Sequence, residues 1–176
     1  IDGQVDLVLG KINVSETYMI HCNISNATGN IRSLGNVVIN GAVESGFIVE
    51  AKGNIEVNGN VSSATLKAGG NILLRSGVIG SKIHCEGDLS TKFIESSDVL
   101  VKGEIQTSYI MTSQIKCGKS LKTVGSKSKI VGGSCIAGGN IETSNLGSNA
   151  YVKTFIHIGT DSNSIAKQQE LLKEIP

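Results

Sequence analysis

The chain runs to 176 residues, with 16 Lys and Arg against 15 Asp and Glu and a formal net charge of +1. That near-neutrality excludes a global field steering it onto nucleic acid or an anionic membrane, and no run of about 18 apolar residues is present to span a bilayer as a helix. Twenty-two glycines, 3% aromatics and no tryptophan describe many tight corners around an interior too narrow for large rings.

Residues 1–34 keep no steady interval. Gly10-Lys11-Ile12-Asn13-Val14 has the look of a coil start but stands 25 residues before Gly35, and Ile20-His21-Cys22 mimics Ile83-His84-Cys85. One or two irregular coils, acting as a cap, are expected here. From Gly35 a triplet returns. It reads Gly35-Asn36-Val37, Gly53-Asn54-Ile55, Gly70-Asn71-Ile72, Gly87-Asp88-Leu89, Gly103-Glu104-Ile105, Lys119-Ser120-Leu121 and Gly139-Asn140-Ile141, at intervals of 18, 17, 17, 16, 16 and 20. Helical repeats need about 33 residues or more. A period of 16–20 fits one rung of a parallel β-solenoid, which buries its apolar face only by stacking on its neighbours.

Strand side chains alternate between faces, so positions two apart share one. One inward file reads Val49, Leu66, Ile83, Val99, Ile115, Cys135 and Ile156; a second reads Ala51, Ala68, Cys85, Val101, Cys117, Ala137 and Ile158. A third follows the triplets: Val37, Ile55, Ile72, Leu89, Ile105, Leu121 and Ile141. Between the first two lie Glu50, Lys67, His84, Leu100, Lys116, Ile136 and His157, mostly polar and expected to face solvent. The fold class is therefore all-β, with the β-helix over 35–161. Its longer rung over 119–138 loops near 126–129, and its last coil enlarges near 144–150.

Over 162–176 the pattern changes to a short C-terminal α-helix. Asp161, Ser162, Asn163 and Ser164 offer N-caps, and good helix formers follow. Ile165, Leu172 and Ile175, with Gln168 between, form a seam of heptad spacing that predicts the start of a coiled coil and an oligomer contact. The chain reads as a piece cut from a longer protein.

Four Cys and three His raise the question of a metal. His84 and Cys85 are neighbours on a strand and point to opposite faces, and no Cys-x-x-Cys or His-x₃-His spacing occurs. Cys85, Cys117 and Cys135 fall on inward files and read as small core fillers. Disulfides among them do not fit, because stacked and offset positions lie about 8–10 Å apart against a limit of about 7 Å. Free thiols suit a cytoplasmic setting. Gly118-Lys119-Ser120 lacks the upstream glycine of a phosphate-binding loop, since Ser113 stands there. The Asn36–Asn54–Asn71–Asp88–Glu104–Ser120–Asn140 file reads as corner hydrogen bonding, with Glu86 against Lys102 offsetting its two acids. No outward file is rich in carboxylates, and none orients His84. No catalytic, metal or cofactor-binding residue is expected. The densest charge cluster, Lys116, Lys119, Lys122, Lys127 and Lys129, is the candidate partner contact; no aromatic lies among these lysines in sequence, which argues against single-stranded nucleic acid.

The segments GNVVINGAVESGFIVEAKGNIEVNGNV at 35–61, ATLKAGGNI at 64–72, KFIE at 92–95, IVGG at 130–133 and AGGNI at 137–141 together resemble the flagellar assembly protein A family of bacteria, over about residues 30–160. The resemblance implies a right-handed parallel β-helix between an N-terminal domain and a C-terminal coiled coil. It implies a non-enzymatic, cytoplasmic part in flagellar assembly, as a scaffold or adaptor that binds a protein and self-associates. It brings no catalytic residue and no cofactor. The C-terminal β-helix of the septum-site inhibitor and the bactofilins are more distantly similar, and they make a cytoskeleton-like or cell-division-related polymer the alternative. The expected partners are a protein and further copies of the full-length chain, with no nucleic acid and no membrane span.

Overall fold

A backbone that turns every few residues can satisfy its N–H and C=O groups only against chain lying one coil away. The computed structural model, which describes residues 4–8 and 11–159 with side chains from Glu16 onward, shows that arrangement. It is an all-β parallel solenoid of about eight turns, each coil laying one short strand on each of three faces. The first face stacks eight strands, from Thr17–Ile20 and Asn36–Ile39 to Leu121–Thr123 and Ile141–Glu142. The second runs from single bridges at Ile24 and Val43 through Val61–Ser62, Val78–Ile79 and Phe93–Glu95 to Asn145–Leu146. The third runs from Ile31–Ser33 and Ile48–Ala51 to Thr154–Ile158. Two longer strands, Tyr109–Cys117 and Lys129–Ala137, pass through both the second and third faces. An antiparallel pair, Gln4–Val8 with Lys11–Ser15, precedes the coils. No helix occurs among the described residues. The expected helix over 162–176, with its seam residues Ile165, Leu172 and Ile175, lies outside them.

All three inward files stand in the predicted register. Val49 pairs through Leu66, Ile83, Val99, Ile115 and Cys135 to Ile156, and Val37 pairs through to Ile141. These side chains are buried until the last coil, where Ile141 and Ile156 are half-buried. The ladder also begins earlier than the triplets indicate. Thr17–Ile20 pairs residue for residue with Asn36–Ile39, and Ile31–Ser33 with Ile48–Ala51, so residues 17–33 of the segment assigned to an irregular cap form a coil in register. Its start reads Glu16-Thr17-Tyr18 instead of Gly-Asn-Ile, which hid the period.

The corner between the third and first faces explains that difference. The side-chain oxygen of Asn36 accepts the backbone N–H of Asn54, Asn54 that of Asn71, Asn71 that of Asp88 and Asp88 that of Glu104, all at 2.7–2.8 Å. Each oxygen reaches its donor across the preceding glycine: a Cβ on Gly53, Gly70, Gly87 or Gly103 would come within 2.1–2.4 Å of it. Composition suggests that corner glycines supply positive φ, but these four do not have it. They are glycines because a stacked oxygen occupies the space of a side chain. The run ends at Glu104, and the next coil carries Lys119 in place of glycine. Among the described residues no strand precedes Thr17–Ile20 in this stack, and Glu16 stands where the later coils carry glycine.

The corner between the second and third faces does use the left-handed region, at Gly46, Ser63, Gly80, Ser96, Thr112 and Gly132. Buried serines behind it fasten coil to coil. Ser81, Ser97 and Ser113 each donate to the carbonyl two residues back, at 2.6–2.9 Å, and accept the N–H of Ala64, Ser81 and Ser97 respectively, at 3.1–3.2 Å.

Inside and outside should respond differently to charge. Leu66→Asp buries an unpaired carboxylate and is expected to unfold the domain, whereas Lys67→Asp on the outer side should cost less than about 1 kcal/mol; urea melts of the two variants check the assignment, and equal damage contradicts it. The Asn–Gly coupling predicts a double-mutant cycle. Asn54→Ala should cost about 1 kcal/mol for the lost hydrogen bond. Gly70→Ala should cost less in the Asn54→Ala background than in the wild type, by at least about 0.5 kcal/mol. Additive costs would disprove the coupling.

Candidate functional surface

Alternation sends every second side chain to solvent, and stacking lines these up at the strand spacing of about 4.8 Å. On the third face the outward file runs Arg32, Glu50, Lys67, His84, Leu100, Lys116, Ile136 and His157. Glu50 sits between Lys67 and Arg32, each at 2.9 Å, and these two hydrogen bonds hold its carboxyl below the usual range. Glu86 is held down in the same way by Lys102 at 2.5 Å and then by His84 at 2.9 Å. The Glu86–Lys102 pair is the one that the sequence predicts. No adjacent file of carboxylates is expected to orient His84, and a single carboxylate takes that place: Glu86, two residues on, reaches its Nε2. Ile136 also departs from the solvent-facing pattern, being 8% exposed.

The five candidate lysines do not share a face. Lys116 points outward from the third face, Lys119 stands at the following corner, and Lys122 lies on the first face, where Glu142 binds it at 2.8 Å and raises its pKa. Lys127 is exposed in the turn before Lys129–Ala137, and Lys129 is half-buried at the start of that strand. Here the structure brings in an aromatic that linear sequence does not show. Lys129 Nζ lies 5.7 Å from the centre of the Tyr109 ring, one coil away. Tyr109 in turn stacks on Phe93 with centroids 5.2 Å apart and planes 5° from parallel. Its hydroxyl donates to Glu95 at 2.9 Å; burial first, and this carboxylate second, raise its pKa. One face of the Tyr109 ring is thus against Phe93 and the other against Lys129. Stepping forward one coil from Tyr109 would have found the pair. Lys116, Lys119 and Lys127 have no ion pair among the described residues.

The interior holds the other reactive groups. All four cysteines are free thiols, with Cys22 exposed and Cys85, Cys117 and Cys135 buried. Two of the buried thiols do more than fill space. Cys85 donates to the carbonyls of Gly70 and Asp88 at 3.2 and 3.3 Å, and Cys117 to those of Gly103 and Ser120 at 3.1 and 3.3 Å, so both brace the glycine corner. Burial pushes the Cys85 thiol up to about 11 and that of Cys135 to about 12, and it raises Cys117 as well. Thr91, Thr107 and Thr123 continue inward where Leu74 and the coils before it carry aliphatics, a polar run that the sequence analysis did not single out; each hydroxyl donates to a backbone carbonyl. Among the described residues, no three His, Cys, Asp or Glu side chains gather to hold a metal ion.

The raised thiols predict an alkaline limb of instability. As pH rises past the ordinary thiol value of 9.0, the unfolded chain loses these protons while the folded chain keeps them, so folding should weaken from about pH 9 towards about 12 and be unaffected by these groups below 9. Melting curves should show a shallower alkaline fall for Cys135→Ala than for the wild type; an identical slope would contradict the assignment. A thiol reagent at neutral pH should label Cys22 at once and the other three only on unfolding.

The family description "Flagellar Assembly Protein A beta solenoid domain" matches residues 16–176 of this chain, the span that begins with the first coil. No curated protein and no solved structure matches it.

Proposed function

Because the chain belongs to the Flagellar Assembly Protein A β-solenoid domain family and so has a role in flagellar assembly, we propose that it fills this role as a non-enzymatic scaffold, binding a protein partner on its outward faces. One observation carries the reading: side chains able to do chemistry are engaged in holding coil to coil. Ser81, Ser97 and Ser113 behind the left-handed corner accept backbone amides of the preceding coil, the thiols of Cys85 and Cys117 brace the glycine corner, and Glu50 and Glu86 each bridge two partners. What remains on the outside is a set of rigid files, one side chain per coil, suited to shape and charge matching rather than to turnover. Lys116, Lys119 and Lys127, which have no ion pair among the described residues, are the cations proposed to meet an acidic partner. Four free cysteines support a cytoplasmic setting. A polymer-forming β-helix is the second reading, favoured by the exposed apolar side chains of the last coil.

The test uses the full-length protein in a flagellated bacterium that makes it. The triple variant Lys116→Glu, Lys119→Glu, Lys127→Glu should reduce motility and capture of the partner while changing domain stability by less than about 1 kcal/mol. His84→Ala should leave motility intact. Motility lost in His84→Ala with partner capture unchanged would overturn the scaffold reading.

A further inference from the structure

Two of the outward files complement each other. On the second face, successive coils present Ile79, Glu95 and Met111. On the third face they present Leu100, Lys116 and Ile136. Each file sets one charge between two apolar side chains, the charges are of opposite sign, and both files repeat at the coil spacing of about 4.8 Å. Glu95 and Lys116 form no ion pair among the described residues, and Glu95 accepts a hydrogen bond from the Tyr109 hydroxyl. Ile79 is 40% exposed, Leu100 and Met111 are half-buried, and Ile136 lies nearly flush with the surface at 8%. We infer that these two files dock on each other between copies of the chain, the second face of one copy against the third face of the next, with the solenoid axes parallel.

The surroundings of the two files select this arrangement. A coil runs in opposite directions on opposite sides of its axis, so parallel axes make the facing strands antiparallel. With Glu95 level with Lys116, the file two residues before Glu95 then meets the file two residues after Lys116. The first of these carries the stacked rings of Phe93 and Tyr109; the second carries Gly118 and Gly138 at the same two levels. Large rings thus meet positions without side chains, which suits faces packed about 10 Å apart. Three coils back from Glu95, Glu44 comes level with Lys67, a further pair of opposite charge. Opposed axes lose this fit, because they set Lys129 against Lys82. Glu95 shares its coil with Leu100, and Lys116 lies one coil on, so each copy is shifted by one coil from the last. A shifted contact between unlike faces does not close on itself, and copies add in an open helical array. The inference rests on the scaffold reading at Lys116 alone, whose acidic partner becomes Glu95 of another copy, and leaves Lys119 and Lys127 to a different protein.

Sedimentation equilibrium of the 176-residue chain tests it, with circular dichroism checking the fold of each variant. The strip is narrow, of the size that gives weak contacts. Association is therefore expected at about 100 µM, with masses rising past twice 18.3 kDa as concentration rises. Glu95→Lys and Lys116→Glu should each weaken it about tenfold or more. An equimolar mixture of these two variants should regain it, and so should the double variant, because both restore opposed charges. Glu104→Lys, on the first-face corner, makes the same charge change as Glu95→Lys and should leave association as in the wild type. A wild type that stays at 18.3 kDa at about 100 µM, or stops at two chains, overturns the inference. So does a single variant of Glu95 or Lys116 that associates like the wild type, a loss in Glu104→Lys, or a mixture or double variant that fails to recover. All of these outcomes leave the scaffold reading standing, because that reading is decided by motility and partner capture in cells.

Discussion

Everything in this domain follows from stacking identical edges at one fixed spacing. A parallel strand pairs only with its neighbour in register, at about 4.8 Å, so each side chain lies on its counterpart one coil away. Whatever a position does, it does repeatedly. The glycine corner shows how far this reaches. A side-chain oxygen placed to catch the next coil's amide takes the volume of that coil's preceding side chain, so asparagine in one coil demands glycine in the next. The dipeptide that announces the repeat is thus two halves of a single contact between coils.

The same constraint explains what is allowed to vary. Coil steps of 16 to 20 residues coexist with unbroken register because extra residues leave the stack at corners and return to it. Gly125 and Gly147, in the enlarged coils, have positive φ and open space around them, unlike the crowded glycines of the stack. Buried polar groups are tolerated where they add to the stack. The serines and threonines of the interior bond backbone carbonyls, and a buried hydroxyl so satisfied avoids the desolvation penalty of an unpaired one. A frame held in this way keeps its outer files at fixed positions, and that rigidity is what a scaffold for protein docking needs.

How much of this is readable in the letters depends on whether the cause is local. The three inward files could be read to the residue, because alternation within a strand and apolar identity between coils are both visible in sequence. Glu86 against Lys102 could be read by the same step of one coil. His84 with Glu86 was readable too, as a pair two apart with Glu86 just past the end of the strand, but a search for a separate acidic file passes over it. The first coil was hidden because Glu16-Thr17-Tyr18 lacks the signature that only later coils need. The cause of the corner glycines was not readable: positive φ and steric exclusion leave the same letter. Nor does sequence show that Lys116 and Lys122 fall on different faces, since a short spacing in the chain becomes a turn of the coil in space.

The central claim is that coils are fastened at their corners as firmly as along their strands, and that register at these corners fixes the whole surface. Residue-resolved native hydrogen exchange tests it most directly. The corner amides of Asn54, Asn71, Asp88 and Glu104, bonded to side-chain oxygens of the preceding coil, should be protected to the level of neighbouring strand amides such as Ile55 and Ile72, with the amide of Ser120, beyond the end of that run, exchanging faster. Corner amides that exchange like those of open turns, while the strands stay protected, would contradict the account.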